Sequence, residues 1–242
     1  MITYQLEICA NSPVSAVAAQ EGGAHRIELC QQLEIGGITP SAGQIRLVRQ
    51  LLTIGMHVLI RPRAGDFNYS HLEFEEMKAD VSYCRSIGCD GVVVGILNAD
   101  GTVDETRMKT LVNLASPMQV TFHRAFDCCS NPTKALEMII ACGCHRLLTS
   151  GMQHTAYEGT ALIRKLIQQA DGRIEIMPGA GIDETNILAI AAATGASAFH
   201  TSAKVRCTGI AQGLPMMPDE TVGWVSSKQK IRHIADLLRT IQ

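Results

Sequence analysis

Along the chain, short runs of apolar residues alternate with longer segments in which apolar positions recur every three or four residues. The first pattern is that of buried strands and the second that of amphipathic helices. The joints between them repeat. "GGAHRIELC" (from Gly22), "GCDGVVVG" (from Gly88), "GCHRLLTSG" (from Gly143) and "GASAFHTSA" (from Gly195) each lead from glycine through small or polar residues into an apolar run. Glycine is the usual left-handed stop of a helix, so the repeated unit is a helix running into a strand.

Filling the gaps gives eight strand candidates, at 3–9, 25–30, 56–61, 90–95, 118–123, 145–149, 174–177 and 197–201. Helical start signals lie between them. Ser12 and Asn131 are N-cap residues followed by Pro13 and Pro132. Ser70 opens "SHLEFEEMKADV", with acidic residues in its first turn. Asp183 opens "DETNILAIAAATG", and "KIRHIADLLRTI" is a closing helix. Eight units of about 30 residues predict an α/β fold, a (β/α)8 TIM barrel forming one domain over 1–242. A doubly wound open sheet is the alternative, but "EICANSPVS" lacks the glycine-rich turn such sheets carry after their first strand.

Composition narrows the partners. Net charge is −2 with a pI near 6.4, and no block of Lys or Arg stands out. Nucleic acid and anionic membrane surfaces therefore have no electrostatic support, and 4% aromatics argue against base-stacking surfaces. No apolar run reaches the roughly 18 residues of a spanning helix, and "MITYQLEIC" reads as a first strand and not a signal peptide. Nine cysteines, an odd number, predict a reducing cytoplasm and mostly free thiols.

In a (β/α)8 barrel the chemistry sits at the C-terminal ends of the strands. Strands one and two end in "LEIC" and "IELC", which put Glu7 beside Cys9 and Glu28 beside Cys30 on shared faces. Later strand ends bring Arg61, Arg63 and Asp66, then His123, Arg124 and Asp127, then Thr149 and Ser150, and last His200 and Ser202. Two neighbouring thiols suit a soft metal ion, although free cysteine is also a small buried hydrophobe. Cys142 and Cys144 fall at the opposite end of the barrel, and Cys128 and Cys129 follow strand five. Arg61 and Arg63 are expected to face the mouth, where they would hold a carboxylate or phosphate, or neutralise Glu7 and Glu28. His123 with Asp127 is a candidate general base or a satisfied core histidine. The turn at Gly179 and Gly181, with Ser202, is a candidate anion site, or a turn that needs glycine for its shape alone.

Taken together, "RIELC", "EIGGITPSAG", "IRPRAGDFNYS", "VTFHRAFD", "LTSG" and "PGAGI" resemble the CutC family, and run through nearly the whole chain in family order. The resemblance implies a cytoplasmic barrel and a role in copper handling, with Cu(I) held by cysteines that match Cys9 and Cys30. The segment "KVRCTGIAQGLPMMPDE" (204–220) follows no recognisable pattern.

Two functions follow. One is a copper-binding protein that uses Cys9 and Cys30. The other is an enzyme acting on a small anionic molecule, with Glu7, Glu28, Arg61, Arg63, Asp66, His123 and Asp127 as candidate catalytic residues. A homo-oligomer is compatible with either.

Overall fold

A computed structural model describes residues 4–208 and 222–241 of the chain, so most of the unassigned segment 204–220 lies outside the described residues. Eight parallel strands form the barrel: β1 (Gln5–Ala10), β2 (Arg26–Leu29), β3 (Gly55–Leu59), β4 (Gly91–Val94), β5 (Gln119–Phe122), β6 (Arg146–Thr149), β7 (Glu175–Pro178) and β8 (Ala198–Thr201). Strands β1 to β7 pair in sequence order, and β8 pairs with β1. A parallel bridge between Gly179 and His200 closes the ring. The fold is the expected single-layer barrel inside a ring of helices.

The helices are α1 (Pro13–Gly22), α2 (Ala42–Leu51), α3 (His71–Ser86), α4 (Glu105–Ala115), α5 (Pro132–Ala141), α6 (Thr160–Ala170), α7 (Ile187–Thr194) and α8 (Lys228–Arg239). Local chemistry sets their ends. Ser12 and Asn131 accept from the backbone N–H groups of Ser15 and Lys134, and Ser70 and Glu73 form a reciprocal capping box on α3. At the C-terminal ends, Gly23 and Gly195 adopt φ of 92° and 74°, where a side chain would be strained. Helix α7 begins later than Asp183. The Asp183 carboxylate accepts from Thr185 N–H and Oγ1, which holds residues 183–186 as a turn before the helix.

The strands bury two unlike faces. Outward residues such as Leu6, Ile8, Ile27, Val58, Val92 and Phe122 join the helices in one continuous apolar core. Among the described residues, inward apolar residues form two small groups: Cys9, Cys30, Leu59 and Val93, and Leu148, Met177 and Ala198. The remaining interior is polar. Glu7, Arg26, Glu28, His57, Thr121, Arg146 and His200 are all buried, where such barrels are ordinarily filled by branched aliphatics. Two glycines of β4 and its end make room for this. A Cβ at Gly91 would stand 2.6 Å from the His57 ring, and one at Gly95 would stand 2.5 Å from the His123 ring.

After β8 the chain forms an antiparallel pair, β9 (Lys204–Thr208) and β10 (Val222–Ser226). The hydrophobic pattern did not reveal this ribbon. It packs on α1 and places Lys204 at the barrel mouth.

Candidate functional site

Period two along the first two strands builds the site. Register places Glu7 opposite Arg26 and Cys9 opposite Glu28, so the two Glu-x-Cys motifs are staggered by one inner layer. Cys30 follows β2, and His200 of β8 stands opposite Glu7. The Cys9 and Cys30 sulfurs are 3.5 Å apart. Glu7 Oε1 lies 2.8 Å from His200 Nδ1, and Glu7 Oε2 is paired with Arg26 Nε. The other face of the imidazole looks up the barrel, with Nε2 3.3 Å from Glu28 Oε2. Donor atoms of Cys9, Glu28 and His200 lie within 4.8 Å of one another. Above them opens a cavity of about 670 Å³, lined by these three residues on one side and by Arg61, Phe67 and His123 among others.

Burial governs the protonation states. Burial raises the Glu7 carboxyl, but the Arg26 guanidinium and His200 outweigh it and hold Glu7 well below the usual carboxylate range. Glu28, which has no arginine against it, is pushed up to about 7, chiefly by burial and further by the charge on Glu7. Burial disfavours a charged His200, yet Cys9, Glu28 and Glu7 around it raise its pKa well above the ordinary value. The Cys9 thiol is raised by its hydrogen bond with Cys30 and by burial. Two acids, one arginine and one imidazole thus form a buried network capped by two thiols.

Other residues expected at the mouth separate into groups. The expectation that Arg61 and Arg63 neutralise Glu7 and Glu28 gives way: Arg26 and His200 do so. Arg61 Nη1 donates to the carbonyls of Ile35 and Gly37, and Nη2 to that of Gly65. Arg63 turns outward to Asp66 (3.0 Å) and Glu73 (2.5 Å), tying the loop after β3 to the cap of α3. Asp127 is not a partner of His123. Its oxygens accept from Ser150, Thr149, the Met152 N–H and Arg124. Burial takes His123 down to about 3. Gly179 donates its N–H to Thr149 O, so that group is already used, whereas Gly181 and Ser202 line the cavity. Cys142 and Cys144 are buried in the outer core.

Sequence reasoning missed Arg26 and left His200 without a role. The signal for Arg26 was present, because Arg26, Glu28 and Cys30 keep the same period of two. The role of His200 depends on β8 closing onto β1, which joins positions 193 residues apart.

The sequence profile of the CutC family matches residues 4–205. The chain belongs to the CutC family. A CutC family protein of Chromobacterium violaceum is 56% identical over 199 residues, which span 82% of this chain and 81% of the relative. Another, from Bacteroides thetaiotaomicron, is 50% identical over 205 residues, covering 84% and 82%. Among solved structures, a CutC protein from Streptococcus agalactiae, whose name ties it to copper homeostasis, superposes with a TM-score of 0.79 at 31% identity. That match covers 83% of this chain and 99% of that one. The phosphoribosylanthranilate isomerase of Thermotoga maritima, at 12% identity and a TM-score of 0.60, shares the fold alone, over 98% and 100% of the two chains. The family match spans all eight strands of the barrel and stops within β9.

Proposed function

We propose that this CutC family protein acts in copper homeostasis and binds Cu(I) as cargo through Cys9 and Cys30, with His200 as the third donor. The observation that carries the reading is the pair of thiols 3.5 Å apart with an imidazole above the buried Glu7–Arg26 pair. Thiolates and imidazole are the ligand types that soft and borderline ions prefer. Two metal–sulfur bonds of about 2.3 Å laid end to end would span about 4.6 Å. The observed separation is shorter, so the pair suits a bent arrangement that leaves room for another donor. His200 is oriented for this. Its Nδ1 faces the Glu7 carboxylate, the arrangement that commonly holds a metal-binding histidine in place, and its ring shares a donor cluster with Cys9 and Glu28.

The hydrogen bond with Cys30 and burial raise the Cys9 thiol above its ordinary value, so binding there releases a proton and tightens as pH rises. Access comes through the cavity, because Cys9 and His200 line it. Cys9, Cys30, Cys84, Cys89, Cys128, Cys129, Cys142 and Cys144 are free thiols, which suits a reducing compartment.

The test is titration of the reduced chain with Cu(I) against a competing chelator. One Cu(I) per chain is expected, with two sulfurs and one nitrogen in its X-ray absorption spectrum. The double variant Cys9→Ser, Cys30→Ser is expected to lose that binding while unfolding as cooperatively as the parent. Equally tight Cu(I) binding by the folded double variant would refute the site.

A further inference from the structure

The cavity carries a second feature that copper binding does not use. His123 and Arg61 are both buried, at 5% and 6% exposure, and both line the cavity. Both lie against Phe67: the His123 ring centroid is 5.0 Å from that of Phe67, and Arg61 Cζ is 5.0 Å from it. Each has one buried nitrogen with no hydrogen-bond partner among the described residues, His123 Nε2 and Arg61 Nε.

The tautomer of His123 follows from its other nitrogen. Nδ1 lies 3.1 Å from the Ala125 backbone nitrogen and accepts its N–H, so Nδ1 carries no proton. The imidazole is neutral over the whole physiological range, with burial as the first cause and the Arg61 charge as the second. A neutral ring that accepts at Nδ1 must carry its proton on Nε2. The orphan atom is therefore an N–H donor. Arg61 Nε is a donor too, and it belongs to a cation whose three hydrogen bonds all go to neutral carbonyl oxygens. Among the described residues no carboxylate forms an ion pair with Arg61. The neighbouring Arg124 differs, because Asp127 neutralises it. Buried donors without acceptors, and a buried cation without a counter-charge, are costly unless something supplies both.

We propose that the Arg61–Phe67–His123 wall binds a small organic carboxylate, with one oxygen on His123 Nε2–H, the other on Arg61 Nε–H, and its apolar part against Phe67. Two lone donors and one uncompensated positive charge match the two oxygens and single negative charge of a carboxylate. A phosphate dianion would keep one charge and at least one oxygen unpaired here. The neutral histidine is a hydrogen-bond donor that pH does not switch off, so the site holds its ligand across the working range. The ligand would sit in the same cavity as the thiols, with its far end toward Cys9 and Glu28.

This site does not rest on the copper reading, and its test is made without metal. The reduced, metal-free full chain, with ¹⁵N-labelled histidine, is titrated with pyruvate, with pyruvamide as its neutral counterpart, and with inorganic phosphate. The His123 Nε2–H resonance is expected to shift saturably with pyruvate, with a Kd on the order of 1 mM. Pyruvamide and phosphate are expected to bind at least about tenfold more weakly, about 1.4 kcal/mol. His123→Phe is expected to weaken pyruvate binding by a similar factor. No saturable shift with pyruvate, tighter binding of phosphate, or parental affinity in a folded His123→Phe variant would each overturn the assignment. Should that variant fail to fold, the three-ligand comparison on the parent chain decides alone.

Discussion

Glu28 is the group whose removal should make this protein more stable, and only at one end of the pH scale. Its carboxyl is 4% exposed and titrates in the folded chain at about 7, against an ordinary 4.5. A folded-state pKa above the unfolded one means that the folded protein prefers the protonated acid. Stability is therefore lost as pH rises from about 4.5, and the loss levels off above about 7. Each unit of pKa difference is worth about 1.4 kcal/mol, so ionised Glu28 costs about 3 kcal/mol at pH 8. At pH 5 the cost is under about 1 kcal/mol, because the folded carboxyl is still protonated. Glu28→Gln keeps the shape and an acceptor oxygen near His200 Nε2, and it never ionises. Some of the gain is returned, because ionised Glu28 also helps hold the proton on His200. Glu28→Gln should therefore stabilise the metal-free chain by about 2 kcal/mol at pH 8 and leave it nearly unchanged at pH 5. Urea denaturation of both proteins at pH 5, 6, 7 and 8 measures the difference directly. A stability difference that is flat across that range would refute the reasoning, and destabilisation that grows with pH would show that Glu28 is held ionised by its neighbours.

Arg26 and Arg63, which both face carboxylates, should behave oppositely to a simple count of ion pairs. Arg26→Leu strands Glu7, which is 1% exposed, and should cost about 3–5 kcal/mol near neutral pH by denaturant unfolding, with the loss shrinking below pH 5 as Glu7 protonates. Arg63→Ala removes the ion pairs of a side chain that is one-third exposed, with Asp66 and Glu73, and should cost about 1 kcal/mol or less; a comparable loss in both variants would contradict the placement of Arg26 as the interior counter-charge. Gly95→Ala drives a Cβ to 2.5 Å from the His123 ring and should cost about 1–3 kcal/mol while shifting the His123 ring resonances. Unchanged stability and an unchanged spectrum in that variant would show that β4 and His123 are not in contact.

The barrel was legible in the chain before any tertiary contact was known. Eight apolar runs, helices opened by Ser12, Ser70 and Asn131, and glycine stops such as Gly195 are local features, and they locate the strands because hydrogen-bonding period and capping act over a few residues. The closeness of Cys9 and Cys30 was legible too, since consecutive parallel strands are neighbours and period two puts both thiols on the inner face. Which charges pair was decided elsewhere. Arg61 and Arg63 lie at a strand end just as Glu7 and Glu28 do, but the loop carbonyls and the cap of α3 claim them first. Glu7 meets Arg26 because β1 and β2 are staggered, and it meets His200 only because the eighth strand closes onto the first. Stagger and closure belong to the ring of strands as a whole and leave no mark on any short window of sequence. The neutral state of His123 depends in the same way on burial and on Arg61, both supplied by the folded barrel. Residue type and period set which groups line the interior, and the three-dimensional register set which of them share protons and charge.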